Sequence, residues 1–453
     1  MSDDRRAAQP AHRAGDAAEP DGPVTFRDLF AVREYRAVYF SLVVNWLGDY
    51  LARAAITVLV YQQSDSVLLS AASFAISYLP WIVGGPVLAA LAERYPYRRV
   101  MIVADLTRAV PIALIALPGM PVYAILILLF VAMLGAPPTQ AARSALLPLI
   151  LDRRRLVSGL AVNASTSQAA QVFGYLVGAF IATSINARLG IALDAVSFII
   201  SATIIALWVH PRPAAAGPDH RRHLMRETGE GFRLVFGTPL LRSIALMVFG
   251  LTTLTILPEG LAAGWAAVFD KDPAARGFDQ GLIMAAGPVG FVIGGLVVGR
   301  LVSQPDRIRL VKPLAVLTPL ALALTAFAPN ATTVAVLAAI SGVAQGGLMP
   351  TLNGEFVLAL PHGYRARAYA VMQGGVQFTQ FFAVVATGAL AQFSSIPLVV
   401  GLWSLGGLAL MVVLVVRRPT YGVVDVPVPA GPSDATRVTP GPARHRAAGK
   451  LDR

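Results

Sequence analysis

The chain has 453 residues, of which 56% are hydrophobic and only 14% are charged. Soluble domains are about 25% charged, so this composition excludes a soluble globular protein of ordinary type. The formal net charge of +12 raises nucleic acid as a partner, and the absence of cysteine excludes disulfides, iron–sulfur clusters and thiolate zinc sites.

Apolar segments with the length of membrane spans recur along the chain. About 20 apolar residues cross a hydrocarbon core that is ~30 Å thick. The sequence therefore predicts an all-α membrane protein with twelve transmembrane helices in two pseudo-symmetric six-helix bundles. The predicted spans are residues 38–61, 71–91, 99–117, 121–142, 157–185, 189–209, 243–268, 281–301, 310–328, 332–358, 368–392 and 395–416.

Polar stretches divide the chain into five predicted regions. Residues 1–35 and 419–453 are polar or proline-rich and are predicted to be disordered cytoplasmic tails, with no signal peptide evident. Residues 36–210 and 243–418 are the two predicted six-helix bundles. Residues 211–242 form a predicted cytoplasmic linker, in which the stretch GEGFRLVFGTPLLRSI is typical of an amphipathic helix on the membrane surface.

The basic residues lie mainly on one side of this predicted topology. Twelve spans place both termini on the same side, and 31 of the 37 Lys and Arg residues fall in the tails and loops of that side. The positive-inside rule therefore predicts that both termini are cytoplasmic. Topology then explains the net charge, and nucleic acid is not expected as a partner.

A weak internal repeat relates the two halves of the sequence. A shift of 210 places Gly84 and Gly85 on Gly294 and Gly295, and a shift of 209 places Gln168 on Gln377. An offset of six helices, an even number, leaves both halves in the same orientation. The agreement predicts a parallel six-plus-six repeat.

The sequence AALAERYPYRR at residues 89–99 follows the second predicted span. It resembles the signature loop between helices 2 and 3 of the major facilitator superfamily, commonly G-x-L-A-D-R-x-G-R-R. Residues 104–109, 142–150 and 156–179 resemble the branch that contains enterobactin exporters and macrolide efflux proteins. The resemblance extends over about residues 28–418.

This resemblance implies a secondary active transporter of the bacterial inner membrane that works by alternating access. The implied activity is export of a hydrophobic or amphipathic small molecule, such as a drug, siderophore or secondary metabolite, by proton antiport. An importer, a lipid transporter and a non-transporting membrane sensor are the alternatives. The expected partners are the substrate, protons and the lipid bilayer, and the protein is expected to act as a monomer.

The signature loop also implies a gate. In the family, such a charged cluster pairs across the two halves and latches the outward-facing state; the alternative is simple anchoring by basic residues. Arg143 and Glu355, two charged residues near cytoplasmic helix ends, join the predicted gating set. Glu355 could instead simply form an ion pair. The set is Glu93, Arg94, Arg98, Arg99, Arg143 and Glu355.

Charged residues inside the predicted spans are candidates for function. A charge at the bilayer centre costs about 2.5–3.5 kcal/mol on insertion scales, so such residues normally face a cavity or a partner. Asp49 and Arg53 share one face of span 1, and Asp49 is either a protonatable site or the partner of Arg53. Asp105 and Arg108 in span 3 present the same choice, with structural pairing favoured.

Glu259 is the strongest candidate for a substrate-binding or proton-binding acid. It lies between Pro258 and Gly260 in span 7, and this pattern predicts a broken helix that lines a cavity. The alternative is pairing with an arginine of another helix. Asp194, near the outer end of span 6, is interpreted as an interface residue.

Glutamine amides form two repeat-related faces. Gln168 and Gln171 lie in span 5, and Gln373, Gln377 and Gln380 lie on one face of span 11. Amides can bind a ligand without a fixed charge, or they can hydrogen-bond to neighbouring helices. Both interpretations stay open.

Several kinds of catalytic site have no counterpart in the sequence. All six histidines lie in predicted tails or loops, and no HExxH motif, P-loop or nucleophile elbow is present. We therefore predict no catalytic residue, no metal site and no cofactor. The chain is not expected to be an enzyme.

Overall fold

The computed structural model describes residues 25–213, 224–361 and 364–418. Regular secondary structure within these ranges is entirely helical. In the N-terminal half the helices are α1 Phe26–Phe30, α2 Arg33–Ser64, α3 Val67–Ala75, α4 Leu79–Arg94, α5 Tyr97–Ile115, α6 Val122–Met133, α7 Ala136–Ile150, α8 Arg153–Ile181 and α9 Ala187–Trp208.

The C-terminal half begins with a helix in the predicted linker. Its helices are α10 Leu224–Gly237, α11 Pro239–Thr255, α12 Leu257–Phe269, α13 Pro273–Leu301, α14 Gln304–Ala323, α15 Ala331–Leu358, α16 Arg365–Leu390 and α17 Ile396–Val416.

The helices confirm the predicted fold class of an all-α membrane protein. Within the described ranges, nine helical stretches are long and apolar enough to cross a membrane. One of them, 154–208, has 55 residues, which is about 80 Å of helix at 1.5 Å per residue and exceeds a single crossing. Many large apolar side chains of the helices are exposed, as expected for surfaces that face lipid. The number twelve stays a prediction.

The N-terminal tail differs from the prediction. Residues 25–35 were expected to be disordered, but they contain α1 and the start of α2. Thr25 Oγ1 and Thr25 N–H donate to Asp28 Oδ2 at 2.6 Å and 2.9 Å, and these two bonds lower the pKa of Asp28. Leu29 is buried against Tyr35 and Leu151. Local capping and this apolar contact explain the helix, while residues 1–24 and 419–453 lie outside the described ranges.

The predicted linker helix is present but begins earlier than expected. Helix α10 covers 224–237, and a proline in the first turn of α11 begins the next helix at 239 instead of 243. The apolar face of α10 buries Val235 against α11 and α16. Residues 214–223 of the linker lie outside the described part of the chain.

The two halves meet along two equivalent helix pairs. Helix α8 packs against α13, and α3 packs against α16. Numbered by the twelve predicted spans, these pairs join the fifth with the eighth and the second with the eleventh. A parallel repeat, which shifts each span by six, predicts that these two pairs are equivalent. One large buried cluster joins the halves and includes Phe74, Tyr175, Trp265 and Val384.

Contacts between the halves concentrate on one face, which we call the closed face. It carries the loops at residues 65–66, 270–272 and 391–395. There Gln280 Nε2 donates to Ala54 O at 3.2 Å and Gln392 Nε2 donates to Ser66 Oγ at 3.2 Å. Toward the opposite face, where the described chain begins and ends, the buried clusters each belong to a single half.

Helices α13 and α15 approach each other unusually closely. A Cβ placed on Gly294 would lie 2.0 Å from Val343 O, and one on Gly346 would lie 2.0 Å from Phe291 O. Small residues at four-residue spacing permit such backbone contact in membrane helices. This packing sets the position of Phe291, whose side chain borders the cavity described next.

Candidate functional site

A break in the seventh predicted span places an acid at the centre of the molecule. Helix α11 ends at Thr255 and α12 begins at Leu257, so the helix is interrupted as the Pro-Glu-Gly pattern predicts. Glu259 lies in the first turn of α12 and is 8% exposed. Carboxylates are stabilised in the first turn of a helix, where backbone N–H groups are free.

The carboxylate of Glu259 is bound by the other half of the protein. Tyr175 Oη donates to Glu259 Oε2 at 3.0 Å, and Gln171 Nε2 donates to the same oxygen at 3.2 Å. Both donors belong to α8, whereas Glu259 belongs to α12. The predicted alternative, pairing with an arginine of another helix, is therefore wrong: among the described residues no cation lies within 4 Å of this carboxylate.

A cavity of about 300 Å³ adjoins Glu259 between the two halves. This volume is at the lower end of the range for small-molecule sites. Both halves contribute to its wall, which is mixed in polarity. The lining residues are Tyr50, Arg53, Tyr78, Gln168, Gln171, Thr255, Ile256, Glu259, Gly287, Pro288, Phe291, Gly342, Gln345 and Gln380.

Three of the cavity amides belong to the glutamines that the sequence singled out. Gln168, Gln171 and Gln380 line the cavity, and Gln345 of α15 adds an amide that the sequence reasoning missed. Gln377 is half-buried and lies outside this lining, and Gln373 is exposed. Only some glutamines of the two repeat-related faces therefore line this cavity.

Arg53 provides the positive charge of the cavity. Its guanidinium lies 5.3 Å from the ring centroid of Phe74, 5.7 Å from that of Tyr50 and 5.9 Å from that of Tyr78. Cation–π contacts of this kind stabilise a buried cation. The proposed pairing of Arg53 with Asp49 is wrong, because the side chain turns toward the aromatic rings of α2, α3 and the 3₁₀ turn 76–78.

Asp49 is instead paired with Arg108 of α5, at 2.5 Å between Oδ1 and Nη2. The guanidinium also stacks 4.2 Å from the ring centroid of Phe198. Asp105 does not pair with Arg108, contrary to the favoured interpretation. It accepts hydrogen bonds from Ser201 Oγ at 2.6 Å and from Asn45 Nδ2 at 3.2 Å.

The reason for both corrections is geometric. Residues at i and i+3 or i+4 share a helix face, but a helix that packs against that face can offer a better partner. Arg108 reaches from α5 across to α2, and Asp105 turns toward α9. Arg143 of α7 is buried beside this group, and its Nε and Nη2 have no hydrogen-bond partner in the described part of the chain.

The predicted gating residues whose side chains the structure describes do not form one cluster. Arg94 and Arg99 are exposed, and Arg98 donates to Ala206 O of α9 in its own half. Glu355 pairs with Arg418 of its own half, and its role in gating stays a prediction. The side chain of Glu93 lies outside what the structure describes, and the latch between the halves stays a prediction.

The sequence reasoning missed a partly buried ion pair and Tyr175, which binds Glu259. Glu34 of α2 pairs with Arg212, in the segment after α9. Tyr175 was not singled out, because an aromatic residue in an apolar span has no distinctive pattern.

Asp194 lies in the interior of the N-terminal half beside Asp49 and not at an interface.

Comparison with known families decides the classification. A sequence-family model described as Major Facilitator Superfamily matches residues 38–354 and 275–447. The chain belongs to the major facilitator superfamily. This confirms the resemblance seen in the signature loop at residues 89–99.

Two curated proteins that are similar to this chain are named an efflux pump and an exporter. The chain is 27% identical over 355 residues to the multidrug efflux pump Tap of Mycolicibacterium fortuitum, covering 74% of this chain and 83% of that protein. It is 26% identical over 291 residues to the enterobactin exporter EntS of Shigella boydii, covering 62% and 67%.

Solved structures support the superfamily fold. The crystal structure of the nucleoside transporter NupG matches with a TM-score of 0.64 at 13% identity, covering 84% of this chain and 98% of that one. At this identity the match shows the fold alone. The helices that frame the Glu259 cavity therefore belong to a fold that this chain shares with that protein.

Proposed function

We propose that this protein exports a hydrophobic or amphipathic small molecule, such as a drug or a siderophore, by proton antiport. Two similar superfamily members are named an efflux pump and an exporter, which supports this direction of transport. The position of Glu259 carries the proposal, since the carboxylate lies on the cavity and bridges the two halves.

Protonation of Glu259 changes the contact between the halves. Hydrogen bonds to an ionised carboxylate are roughly twice as strong as neutral ones. The bonds from Tyr175 and Gln171 therefore hold α12 against α8 best when Glu259 is ionised. A proton on the carboxylate, or a substrate that takes over this interaction, weakens the connection, so either one favours separation of the halves at the closed face and the empty site keeps them together.

The same carboxylate allows proton and substrate to compete. A substrate with a cationic or hydrogen-bonding group gains most from ionised Glu259, and the apolar part of that substrate has Ile256, Phe291 and Tyr78 for contact. Substrate therefore binds best to the deprotonated site, and a proton displaces it. Mutual exclusion at one group is the simplest basis for antiport.

Arg53 lines the same cavity and influences this exchange. With Glu259 ionised, the two charges compensate within the cavity; with Glu259 protonated, the cavity has a net positive charge. A cationic substrate is then repelled at the moment when the proton is bound. The pair thus strengthens the exclusion between proton and cation.

We also propose that the protein lies in a bacterial inner membrane with both termini in the cytoplasm. The bias of 31 among 37 basic residues supports this orientation. The closed face is then the outer one, and the conformation described here faces inward. Transport requires the opposite arrangement, in which the closed face opens and the termini face closes.

Reconstitution into liposomes tests the proposal. Wild-type protein is expected to move a fluorescent cationic dye or enterobactin in exchange for protons under an imposed pH gradient, and Glu259→Gln, which mimics the protonated acid, is expected to lose this movement and to bind the cationic dye more weakly than wild type. Asp65→Asn is the matched control, because Asp65 is exposed and its left-handed backbone conformation suits asparagine. Equal transport by Glu259→Gln and wild type would contradict the role of Glu259.

A wild-type protein that moves neither compound would contradict proton-driven export itself. Movement of dye in the same direction as protons would instead show symport. That result would overturn the proposed exchange while leaving the cavity as the binding site.

A further inference from the structure

A second buried acid lies within the N-terminal half, away from the central cavity. Asp194 of α9 is 1% exposed. No lysine, arginine or histidine nitrogen of the described residues lies within 4 Å of its carboxylate. The neighbouring cation, Arg108, is already paired with Asp49.

Asp194 is held close to α2 because residue 48 is a glycine. A Cβ on Gly48 would lie 2.4 Å from Asp194 Oδ1 and 2.3 Å from Ser197 Oγ. Ser197 Oγ donates to Asp194 Oδ1 at 3.1 Å, whereas Oδ2 has no hydrogen-bond partner in the described part of the chain. One oxygen of a buried carboxyl group is therefore without a donor.

A small cavity connects the two acids. It has a volume of about 20 Å³ and is lined by Asp49 and Asp194 together with Arg53, Ser73 and Ser77. A polar cavity above about 10–15 Å³ can hold one water molecule when several polar groups surround it. The space between Asp49 and Asp194 meets both conditions.

The charges around Asp194 favour its neutral form. Asp49 on α2 and Asp105 on α5 are like charges near Asp194, and the neighbouring cation Arg108 binds Asp49. Arg53 also borders the cavity but contacts aromatic rings. A buried charge without a partner is unfavourable, and a carboxyl group in this position avoids the cost by keeping its proton.

We propose that Asp194 carries a proton and exchanges it with Asp49 through a water molecule in the cavity that they share. This inference rests on the proposed proton antiport and adds a second proton-binding site to it. The Asp194 O–H bond breaks, the water molecule accepts this proton and gives one of its own to a carboxylate oxygen of Asp49. Asp194 becomes ionised, Asp49 becomes neutral, and the net charge of the group is unchanged.

The exchange moves the preferred position of Arg108. With Asp49 ionised, Arg108 binds α2; with Asp194 ionised, Arg108 binds α9. Helix α2 also carries Tyr50 and Arg53, which line the central cavity. A change in how α2 is held against α9 therefore reaches the Glu259 site through residues of one helix.

Infrared spectroscopy of the purified full-length protein tests the proposal without a substrate. A protonated carboxyl group has a carbonyl stretch that a carboxylate lacks. At neutral pH, Asp194→Asn is expected to remove one such band, and Asp65→Asn is expected to remove none. An unchanged band in a folded Asp194→Asn variant would show that Asp194 is ionised and would overturn the proposal.

Asp49→Asn tests the exchange itself. This variant frees Arg108, which should then pair with Asp194 and ionise it, so the Asp194 band is expected to weaken although Asp194 is intact. An unchanged band would overturn the exchange through Arg108. Thermal unfolding of each variant shows whether it is folded, and Asp194→Asn is expected to match wild type because asparagine resembles the neutral acid.

The two proposals can fail separately. If wild type shows no proton-driven transport but the Asp194 band behaves as expected, proton antiport fails and the buried exchange remains. If transport occurs and the band is unaffected by Asp194→Asn, antiport remains and this second site is wrong.

Discussion

The Oη atom of Tyr175 lies 3.0 Å from Oε2 of Glu259, although the two residues belong to different halves of the protein. This hydrogen bond connects α8 and α12 at the edge of the central cavity. It links the protonation state of one acid to the contact between the halves.

Replacing Tyr175 by phenylalanine should loosen the closed face. A hydrogen bond to a charged group contributes about 1.5–3 kcal/mol, and 1.4 kcal/mol changes an equilibrium about tenfold. Tyr175→Phe is therefore expected to raise, about tenfold or more, the population of molecules in which the two halves have separated at the closed face. Tyr123→Phe is the control, because Tyr123 is highly exposed.

Spin labels can measure this population. The chain contains no cysteine, so cysteines introduced at the exposed positions Gln63 and Phe393 label opposite halves near the closed face. Tyr175→Phe should increase the share of long label-to-label distances. Identical distance distributions in Tyr175→Phe and wild type would show that this bond does not hold the halves together.

Removing the cation of the buried N-terminal cluster should be strongly destabilising. Arg108→Gln leaves Asp49 without its ion-pair partner, and breaking a buried pair costs about 3–5 kcal/mol. Asp49→Asn should cost less, because Arg108 can then turn to Asp194. Thermal unfolding in detergent measures both, and the double variant Arg108→Gln with Asp49→Asn should recover part of the loss. An equal cost for the two single variants would argue against Asp194 as a substitute partner.

Close packing of α13 on α15 predicts contrasting effects of two glycine substitutions in one helix. Gly346→Ala would place a Cβ 2.0 Å from Phe291 O, whereas nothing lies within 4 Å of a Cβ at Gly354. Overpacking costs about 1–3 kcal/mol, so Gly346→Ala should lower the unfolding temperature. Gly354→Ala should be neutral or stabilising by up to about 1 kcal/mol, since alanine favours helix. Similar effects of both would exclude the close backbone contact.

The ion pair between Arg418 and Glu355 predicts that the end of the last helix stabilises α15. Both side chains are largely buried, so Arg418→Gln should cost about 3–5 kcal/mol by leaving Glu355 unpaired. The double variant that combines Arg418→Gln with Glu355→Gln should recover part of this stability. A chemical unfolding series on the three variants tests the coupling; strictly additive single effects would show that the pair does not interact.

Sequence reasoning identified the central acid for a physical reason. Proline and glycine beside Glu259 interrupt an apolar span, and an acid at such a break is costly unless it faces a cavity. The same reasoning assigned wrong partners to Asp49 and Asp105. Spacing along one helix defines a face, but it does not define which helix packs there.

The sequence by itself determined the membrane class, the superfamily and the acid on which the proposed transport depends, because hydropathy and local motifs are properties of the chain read in order. Only the tertiary structure decided that Arg108 binds Asp49, that Tyr175 and Gln171 bind Glu259, and that Asp194 has an oxygen without a donor. These relationships depend on the rotation and depth of each helix against its neighbours. Packing across helices sets both quantities.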